Sequence, residues 1–317
     1  MRIGIDLGGT NIAAAVVDDA YRIVAKGSVK TFKDRPYAQI IGDMAQLALL
    51  LTQQAGCSPE EIMAIGIGSP GILDTQTGYI LYSNNIPWEN VDLCGEFRKH
   101  FDRPIFIAND ASCAALGEYI AGAAQNYDSA LCITLGTGIG GGFILNGKIY
   151  SGFNSAAGSF GHTTLISGGA LCTCGRRGCW EAYGSVTGLI RMAKEQATAH
   201  PSSTLAALCA GGVELTGKNI FQAAKAGDAV AKSVVDQYIF YVAEGITNFV
   251  NVLQPEVITL GGGISHEGDY ILQPVKQYVR RDVFCKHIKL PEIKIAQLGN
   301  DAGIIGAAFL QEYRNHS

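Results

Sequence analysis

The chain has 317 residues, of which 48% are hydrophobic and 16% are charged, and its formal net charge is −4. This length allows two domains with well-buried cores. The mildly acidic balance gives no electrostatic basis for binding nucleic acid or an anionic membrane surface, so neither is expected as a partner. No secretory signal is visible and no apolar run approaches the roughly 20 residues of a membrane span, so a cytoplasmic protein is expected.

The first third of the chain alternates short apolar strands with helices. RIGIDLGGTNIAAAVVD, residues 2–18, predicts a strand, a glycine turn and a second strand. A helix is predicted over about 37–55, then a strand over 62–68 and a loop at 69–71. The apolar strand IFIAND, residues 105–110, leads directly into a predicted helix at 111–121.

The second half opens with the same pattern as the first. LCITLGTGIGGGFIL, residues 131–145, is again two alternating apolar strands around glycines, which predicts two similar lobes. The other predicted elements are helices near 185–199, 217–226, 228–253, 269–284 and from about 302, and strands at 257–263 and 293–298. The mixture indicates an α/β fold, with a first lobe over 1–120 and a second over 121–301.

The glycine runs resemble three kinds of phosphate-binding loop. GTGIGG at 136–141 matches a dinucleotide fingerprint, but strand-like residues follow where a helix should begin. GFILNGKI at 142–149 approaches a P-loop, but Ile149 replaces the residue that would hold magnesium. Two matching hairpins instead favour backbone N–H groups that face phosphates; the alternative is that the glycines serve only the turn.

Asp6 lies immediately before the first glycine pair. A carboxylate beside a phosphate-binding turn is costly unless a cation lies between them. We therefore predict that Asp6 holds Mg²⁺, through water.

A histidine and three cysteines form a second constellation. His162-x9-Cys172-x-Cys174-x4-Cys179 supplies four ligands suited to tetrahedral zinc. Gly175 and Gly178 permit the turns that would bring the thiolates together. Unconnected reduced thiols are the alternative, and a disulfide is disfavoured in a reducing compartment. Because four protein ligands fill the coordination sphere, the metal is expected to be structural.

Six motifs occur in one order along almost the whole chain: DLGGT at 6–10, GSPG at 68–71, NDASCAALGE at 109–118, GTGIGGG at 136–142, GH with CTCGRRGC at 161–179, and LGGGIS at 260–265. In this set the chain resembles the ROK sugar kinases, which include bacterial glucokinases, N-acetylhexosamine kinases and the kinase-like regions of ROK repressors. The resemblance implies an actin/hexokinase-like fold of two RNase H-like lobes around a nucleotide- and sugar-binding cleft. It also implies that the C-terminal helix, about 302–317, packs on the first lobe.

The resemblance further implies which residues bind the two substrates. The residues implied for ATP are Asp6, Gly8, Gly9, Thr10, Gly136, Thr137, Gly138, Gly261, Gly262 and Gly263. The residues implied for the sugar are Gly71, Asn85, Asn109, Ser159, His162 and Glu181. Plainer interpretations stay open for three of these sites: a strand-end turn at 261–263, turn chemistry at Asn85, and a solvated residue at a helix start for Glu181.

Asp110 is the predicted catalytic carboxylate. It follows an apolar strand, where α/β folds place functional groups. Phosphorylation of a sugar hydroxyl requires the proton to leave as the O–P bond forms, and a nearby carboxylate can accept it. The alternative is that Asp110 only caps the following helix. The histidine of the cysteine constellation is expected to bind sugar through the imidazole nitrogen that zinc leaves free.

Ser159 departs from the family pattern. The family carries Gly-Glu-x-Gly-His, whereas this chain has Gly158-Ser159-Phe160-Gly161-His162. The missing glutamate is expected to bond sugar hydroxyls near the anomeric carbon. Its absence is compatible with altered specificity, with an altered sequence or with reduced activity.

The predicted activity is ATP-dependent phosphorylation of a hexose, with glucose O6 as the first choice. The alternatives are an N-acetylhexosamine or other hexose kinase, and a catalytically weak sugar-binding or sensing protein. A DNA-binding repressor is disfavoured because the hairpin begins at residue 4, without room before it for a helix-turn-helix. A homodimer or homotetramer is expected.

Overall fold

The computed structural model describes residues 1–83 and 85–313, which form an α/β arrangement. The strands are β1 Arg2–Leu7, β2 Asn11–Val17, β3 Ile23–Lys30, β4 Ile65–Ser69, β5 Ile72–Asp74, β6 Tyr79–Ser83, β7 Trp88–Asp92, β8 Ile105–Asn109, β9 Ser129–Leu135, β10 Ile139–Leu145, β11 Lys148–Ile149, β12 Val257–Gly261 and β13 Glu292–Ile295. The helices are α1 Tyr37–Gln54, α2 Leu93–Arg98, α3 Asp110–Ala121, α4 Glu181–Gly184, α5 Val186–Ala199, α6 Thr204–Ala210, α7 Gly217–Lys225, α8 Ala229–Leu253, α9 Asp269–Asp282, α10 Ala302–Ala308 and α11 Leu310–Tyr313.

The first sheet has the strand order β3-β2-β1-β4-β8. β1 and β2 form the predicted antiparallel hairpin, and β4 and β8 add to it in parallel. Ile3, Ile5 and Leu7 of β1 are completely buried, because the strand is central in the sheet. The parallel pairing brings the carboxyl ends of β1, β4 and β8 to one edge, where parallel sheets carry their functional groups.

The second five-stranded sheet has the order β11-β10-β9-β12-β13. Its strands follow the same sequence of positions as the first sheet, with a hairpin strand pair at the centre, so the internal repeat is confirmed as a structural repeat. β10 begins directly after the glycine turn. The strand-like residues there are indeed a strand, which confirms that GTGIGG is not a dinucleotide fingerprint opening a helix.

Several elements were missed from the sequence. They are β3, the three-stranded sheet β5-β6-β7, and the short helices α2 and α6. In the three-stranded sheet each strand has three to five residues, and β6 exposes three of its five residues. Such strands carry too little apolar alternation to be distinguished from loops.

The C-terminal segment is not one continuous helix. α10 ends at Ala308 and α11 begins at Leu310, and the predicted residues 314–317 lie outside the described part of the chain. α10 packs closely on α3: a Cβ on Gly306 would lie 1.8 Å from the carbonyl oxygen of Cys113. A side chain at this position would therefore separate the two helices.

The chain divides into two compact units. The first comprises Met1–Cys132, Gly141–Gly158 and the chain from Gln297 onward, and the second comprises Ile133–Gly140 and Ser159–Ala296. The helices of the described residues include none with the length and hydropathy needed to cross a membrane.

Candidate active site and metal centre

Asn109 and Asp110 lie where β8 ends and α3 begins. The Asn109 side chain caps α3, with its Oδ1 accepting a hydrogen bond from the Ala111 N–H at 3.0 Å, and its Nδ2 donates to the Gly71 carbonyl at 3.4 Å. The Asp110 Oδ1 also accepts from the Ala111 N–H, at 2.8 Å. The N-cap position thus belongs to Asn109, and Asp110 is the first residue of the helix that Asn109 caps.

Asp6 and Asp110 are two mostly buried carboxylates within electrostatic reach of one another. Burial, and secondarily the charge of Asp110, raises the pKa of Asp6 from 3.8 to about 6. Burial also raises the pKa of Asp110, although hydrogen bonds from the start of α3 act in the opposite direction. Both carboxyl groups therefore have a pKa above the usual value, and carboxyl groups with shifted pKa values are common at functional sites.

The first hairpin, Gly8–Thr10, is fixed by backbone hydrogen bonds. Gly8 N donates to the Asn11 carbonyl at 3.0 Å, and the Thr31 hydroxyl donates to the Gly8 carbonyl at 2.7 Å. A Cβ on Gly9 would lie 3.0 Å from the carbonyl oxygen of Asn85. The structure therefore brings Asn85 to the first hairpin.

The second hairpin, Gly136–Gly138, joins β9 to β10. Gly136 N donates to the Gly138 carbonyl at 3.0 Å, and the Thr187 hydroxyl of α5 donates to the Thr137 carbonyl at 2.7 Å. The turn after β12 lies beside the end of β9, because a Cβ on Gly262 would be 2.4 Å from the Leu135 carbonyl oxygen. Residues 261–263 therefore do form a turn at the end of a strand, and this turn lies close to the second hairpin.

The four predicted metal ligands form one group, which we call the metal cluster: His162, Cys172, Cys174 and Cys179. Their ligand atoms all lie within 4.8 Å of one another. Cys174 Sγ is 3.7 Å from Cys179 Sγ, and Cys172 Sγ is 3.6 Å from His162 Nδ1. A tetrahedral zinc ion would place two sulfurs about 3.8 Å apart, and a sulfur and a nitrogen about 3.6 Å apart. All nine cysteines are free, and three of them lie together in this group, as a metal site requires; that they hold a metal stays a prediction.

The backbone around the metal cluster is shaped for these ligands. Gly175 and Gly178 have φ of +87° and +81°, and a Cβ on Gly178 would lie 1.7 Å from the Ile166 carbonyl oxygen. The hydrogen bond from the Arg176 N–H lowers the pKa of Cys174, whereas burial raises the pKa of Cys172 and of Cys179. A lowered thiol pKa favours the thiolate form, which is the form that binds metal.

His162 presents Nδ1 to the metal cluster, which leaves its Nε2 for another partner. His162 N donates to the Ser159 carbonyl at 3.1 Å, in a short 3-10 turn over Phe160–His162. Ser159 is exposed and its hydroxyl makes no capping hydrogen bond in this turn. The side chain at position 159 is therefore not used by the local fold.

Glu181 begins α4 and is half-buried. Its Oε2 accepts a hydrogen bond from the Ile139 N–H at 3.0 Å, and its Oε1 accepts one from the Thr173 hydroxyl at 3.1 Å. Glu181 therefore lies at a helix start, as the plainer interpretation has it, but its carboxylate is hydrogen-bonded rather than solvated. Its carboxylate joins the end of the second hairpin to the segment that carries the metal cluster.

Two residues with structural importance for this site were missed. Thr173 contacts Glu181 and lies between two metal-cluster cysteines. Glu118 is 1% exposed, and its carboxylate accepts hydrogen bonds from the backbone N–H groups of Ala123, Gln297 and Leu298. The sequence did offer a signal for Glu118, because it is a charged residue near the end of a largely apolar helix.

Comparison with known proteins identifies the family. The ROK family model matches residues 2–314. This chain belongs to the ROK family. Consistent with that membership, the fold is the actin/hexokinase-like fold.

Three relatives illustrate how closely this ROK protein matches others. It is 40% identical to a glucokinase of Halalkalibacterium halodurans, over 99% of this chain and 96% of the relative. It is 36% identical to a glucokinase of Streptomyces coelicolor, over 98% and 97% of the two chains. The crystal structure of a ROK family glucokinase from Streptomyces griseus with glucose and AMPPNP has a TM-score of 0.82 and 35% identity, covering 98% of each chain.

Proposed function

We propose that this ROK protein catalyses the ATP-dependent phosphorylation of a hexose, with O6 of glucose as the acceptor. The observation that carries the proposal is similarity along nearly the full chain to relatives named glucokinase, at 36–40% identity. A kinase of N-acetylhexosamines or of another hexose is the second candidate, because Ser159 stands where the family pattern has glutamate.

Asp110 is assigned as the general base. Its carboxylate lies at the carboxyl end of β8 and has a raised pKa, which suits a group that accepts a proton from a sugar hydroxyl. Asn109, held by Ala111 and Gly71, is assigned to bind a neighbouring hydroxyl. As the bond between the sugar oxygen and the γ-phosphorus forms, the bond from that phosphorus to the leaving ADP breaks. Asp110 takes the hydroxyl proton and so prevents a positive charge from building on the attacking oxygen.

The two hairpins are assigned to the phosphates of ATP, through their backbone N–H groups. Gly261–Gly263 is assigned to the adenosine part, because this turn lies beside the strand that leads into the second hairpin. No group among residues 1–83 and 85–313 donates a hydrogen bond to the Asp6 carboxylate. This mostly buried carboxylate therefore suits a cation that it would bind through water. Mg²⁺ bound there would neutralise phosphate charge.

His162, Glu181, Gly71 and Asn85 are assigned to bind the sugar, and position 159 is assigned a sugar contact from the family pattern. His162 Nε2 is free to donate because Nδ1 faces the metal cluster. Thr173 and Ile139 already bond the Glu181 carboxylate, so it would accept a sugar hydroxyl with its remaining lone pairs.

The metal cluster is assigned to one structural Zn²⁺. We expect elemental analysis of the purified protein to find close to one zinc per chain, because the four ligands already have tetrahedral spacings. Replacing Cys174, the exposed ligand, with serine should lower the zinc content, whereas the distant exposed Cys209→Ser should not. Active protein that contains no zinc would refute the assignment.

Two further assignments complete the proposal. A homodimer or homotetramer is proposed from the family resemblance. A cytoplasmic location is proposed because ATP and reduced thiols occur there, and all nine cysteines are free.

Asp110→Asn tests the assignment of the base. The asparagine oxygen can still accept from the Ala111 N–H, so the start of α3 should be unchanged. We expect kcat to fall on the order of 10²–10⁴-fold, while glucose affinity measured by calorimetry changes little. Asp92→Asn, which alters the cap of α2, is the matched control and should keep its kcat. A near-normal kcat for Asp110→Asn would remove Asp110 from this role.

A further inference from the structure

Glu181 lies between two parts of the second unit that have separate tasks in the proposed function. One is the second hairpin, assigned to ATP phosphates, and the other is the metal cluster. We propose that Glu181 is a positioning residue that couples them, so that metal binding and nucleotide binding strengthen one another. The inference rests on the proposed function, because it takes the second hairpin as a nucleotide site.

The contact with the hairpin is direct. Oε2 of Glu181 accepts from the Ile139 N–H at 3.0 Å, and a Cβ on Gly138 would lie 2.4 Å from the same oxygen. The carboxylate therefore rests on the peptide that leaves the hairpin and sets its direction. A charged acceptor makes this a stronger hydrogen bond than one between neutral groups.

The contact with the metal cluster runs through Thr173. Its hydroxyl donates to Oε1 of Glu181 at 3.1 Å, and Cys172 Sγ lies 3.6 Å from the same oxygen. Thr173 is exposed and is flanked in sequence by two ligands, Cys172 and Cys174. A metal ion that fixes both cysteines thereby fixes the residue between them, and without the ion this exposed turn loses that restraint.

The backbone of Glu181 is held in place by the packing of its neighbour Trp180. Trp180 is completely buried, its Nε1 donates to the Tyr241 carbonyl at 2.8 Å, and its ring fills the space beside Gly245 of α8. Since the backbone is fixed, changes at Thr173 reach the hairpin through the Glu181 side chain. Metal binding that orders the metal cluster lowers the entropy cost of ordering the second hairpin, and the reverse also holds. This is a positive coupling between the two sites.

The coupling is measurable as nucleotide affinity in the absence of sugar. Calorimetry with a non-hydrolysable ATP analogue and Mg²⁺ would compare zinc-loaded protein with protein stripped by a chelator that is then removed by dialysis. We expect zinc to tighten nucleotide binding by about 5-fold or more, which is the lower range of coupling between sites. By reciprocity, the analogue should raise zinc affinity by the same factor.

Two threonine variants test whether the coupling passes through Thr173 and Glu181. Thr173→Val removes the hydroxyl that holds Glu181, and it alters neither a metal ligand nor the hairpin, so the zinc effect should fall to less than about 2-fold. Thr187→Val is the matched control, because its hydroxyl bonds the hairpin from α5 at 2.7 Å. Whatever its absolute nucleotide affinity, the control should keep the full ratio between zinc-loaded and stripped protein.

The experiment distinguishes failure of the coupling from failure of the proposed function. Equal nucleotide affinity with and without zinc in the wild type overturns the coupling and leaves the proposed function intact. Loss of the zinc effect in both threonine variants shows that general order of the unit, rather than Glu181, carries it. If the analogue binds no form of the protein while glucose still binds, the nucleotide assignment of the hairpin fails, and the coupling with it.

Discussion

Ser159 is an exposed side chain that the surrounding turn does not use. A glutamate there could extend beyond the turn, whereas serine is too short to reach a hydroxyl at the same distance. We therefore expect Ser159→Glu to lower KM for glucose. A regained charge-assisted hydrogen bond contributes about 1.5–3 kcal/mol, which corresponds to about 10- to 150-fold.

The effect of Ser159→Glu should depend on the sugar. Values of kcat/KM for glucose, mannose, N-acetylglucosamine and N-acetylmannosamine would show whether serine admits a bulkier substrate, which the added glutamate would exclude. Ser167→Glu places the same charge on an exposed residue of the same segment and should have no effect. If Ser159→Glu leaves every kcat/KM unchanged, position 159 does not face the sugar.

Asp6 should destabilise the ligand-free protein at neutral pH. Its pKa is raised from 3.8 to about 6 by burial, so the folded state holds this proton more tightly than the unfolded chain does. The resulting stability is complete below pH 3.8 and is lost as the pH rises through about 6.

Asp6→Asn removes this dependence because an amide does not ionise. In denaturant unfolding without nucleotide or Mg²⁺, we expect the variant to be more stable than wild type at pH 7.5, by on the order of 2 kcal/mol. The advantage should shrink toward zero near pH 4. Asp34→Asn replaces an exposed carboxylate and should show no such trend. A constant difference across this range would mean that Asp6 ionises normally.

At the scale of elements, Glu118 connects α3 to the segment that precedes α10. Its carboxylate accepts from Ala123 N at 2.9 Å, Gln297 N at 2.9 Å and Leu298 N at 2.7 Å. α3 begins with Asp110, and α10 places Gly303 beside Asp6, so this carboxylate fixes two elements that carry or contact the proposed active site.

Glu118→Gln should destabilise the protein strongly. The amide replaces one acceptor oxygen with a donor that faces backbone N–H groups, which leaves buried donors without partners. We expect a loss of about 2–4 kcal/mol in the free energy of unfolding, measured with urea. Glu96→Gln, which affects an ion pair with the exposed Lys99, should cost less than about 1 kcal/mol. A loss for Glu118→Gln as small as that of the control would contradict this role.

At the scale of the whole molecule, the sequence predicts elements and turns that depend on local pattern. The two glycine hairpins, the apolar strands before Asn109 and Gly261, and the ligand spacing of the metal cluster are all local signals, and the structure contains each of them. The residue roles carried over from the family stay predictions, as does the proposed division into lobes at residue 120.

What the sequence could not supply are contacts between distant segments. Glu118 bonds Gln297 and Leu298 across some 180 residues, and no periodicity reports such a pair. The same holds for Glu181 and Ile139, which lie 42 residues apart. The break between α10 and α11 at Phe309 was also missed, because the apolar residues continue on both sides of it.

The packing of α10 also has a consequence for the order in which the protein can be made. The first unit is assembled from three stretches of chain, and most of the second unit is synthesised between the second stretch and the third. Gly4 of β1 and Gly66 of β4 lie against α10 so closely that no side chain fits at either position. On a ribosome these surfaces stay uncovered until α10 emerges, so the first part of the chain to be translated is among the last to complete its core.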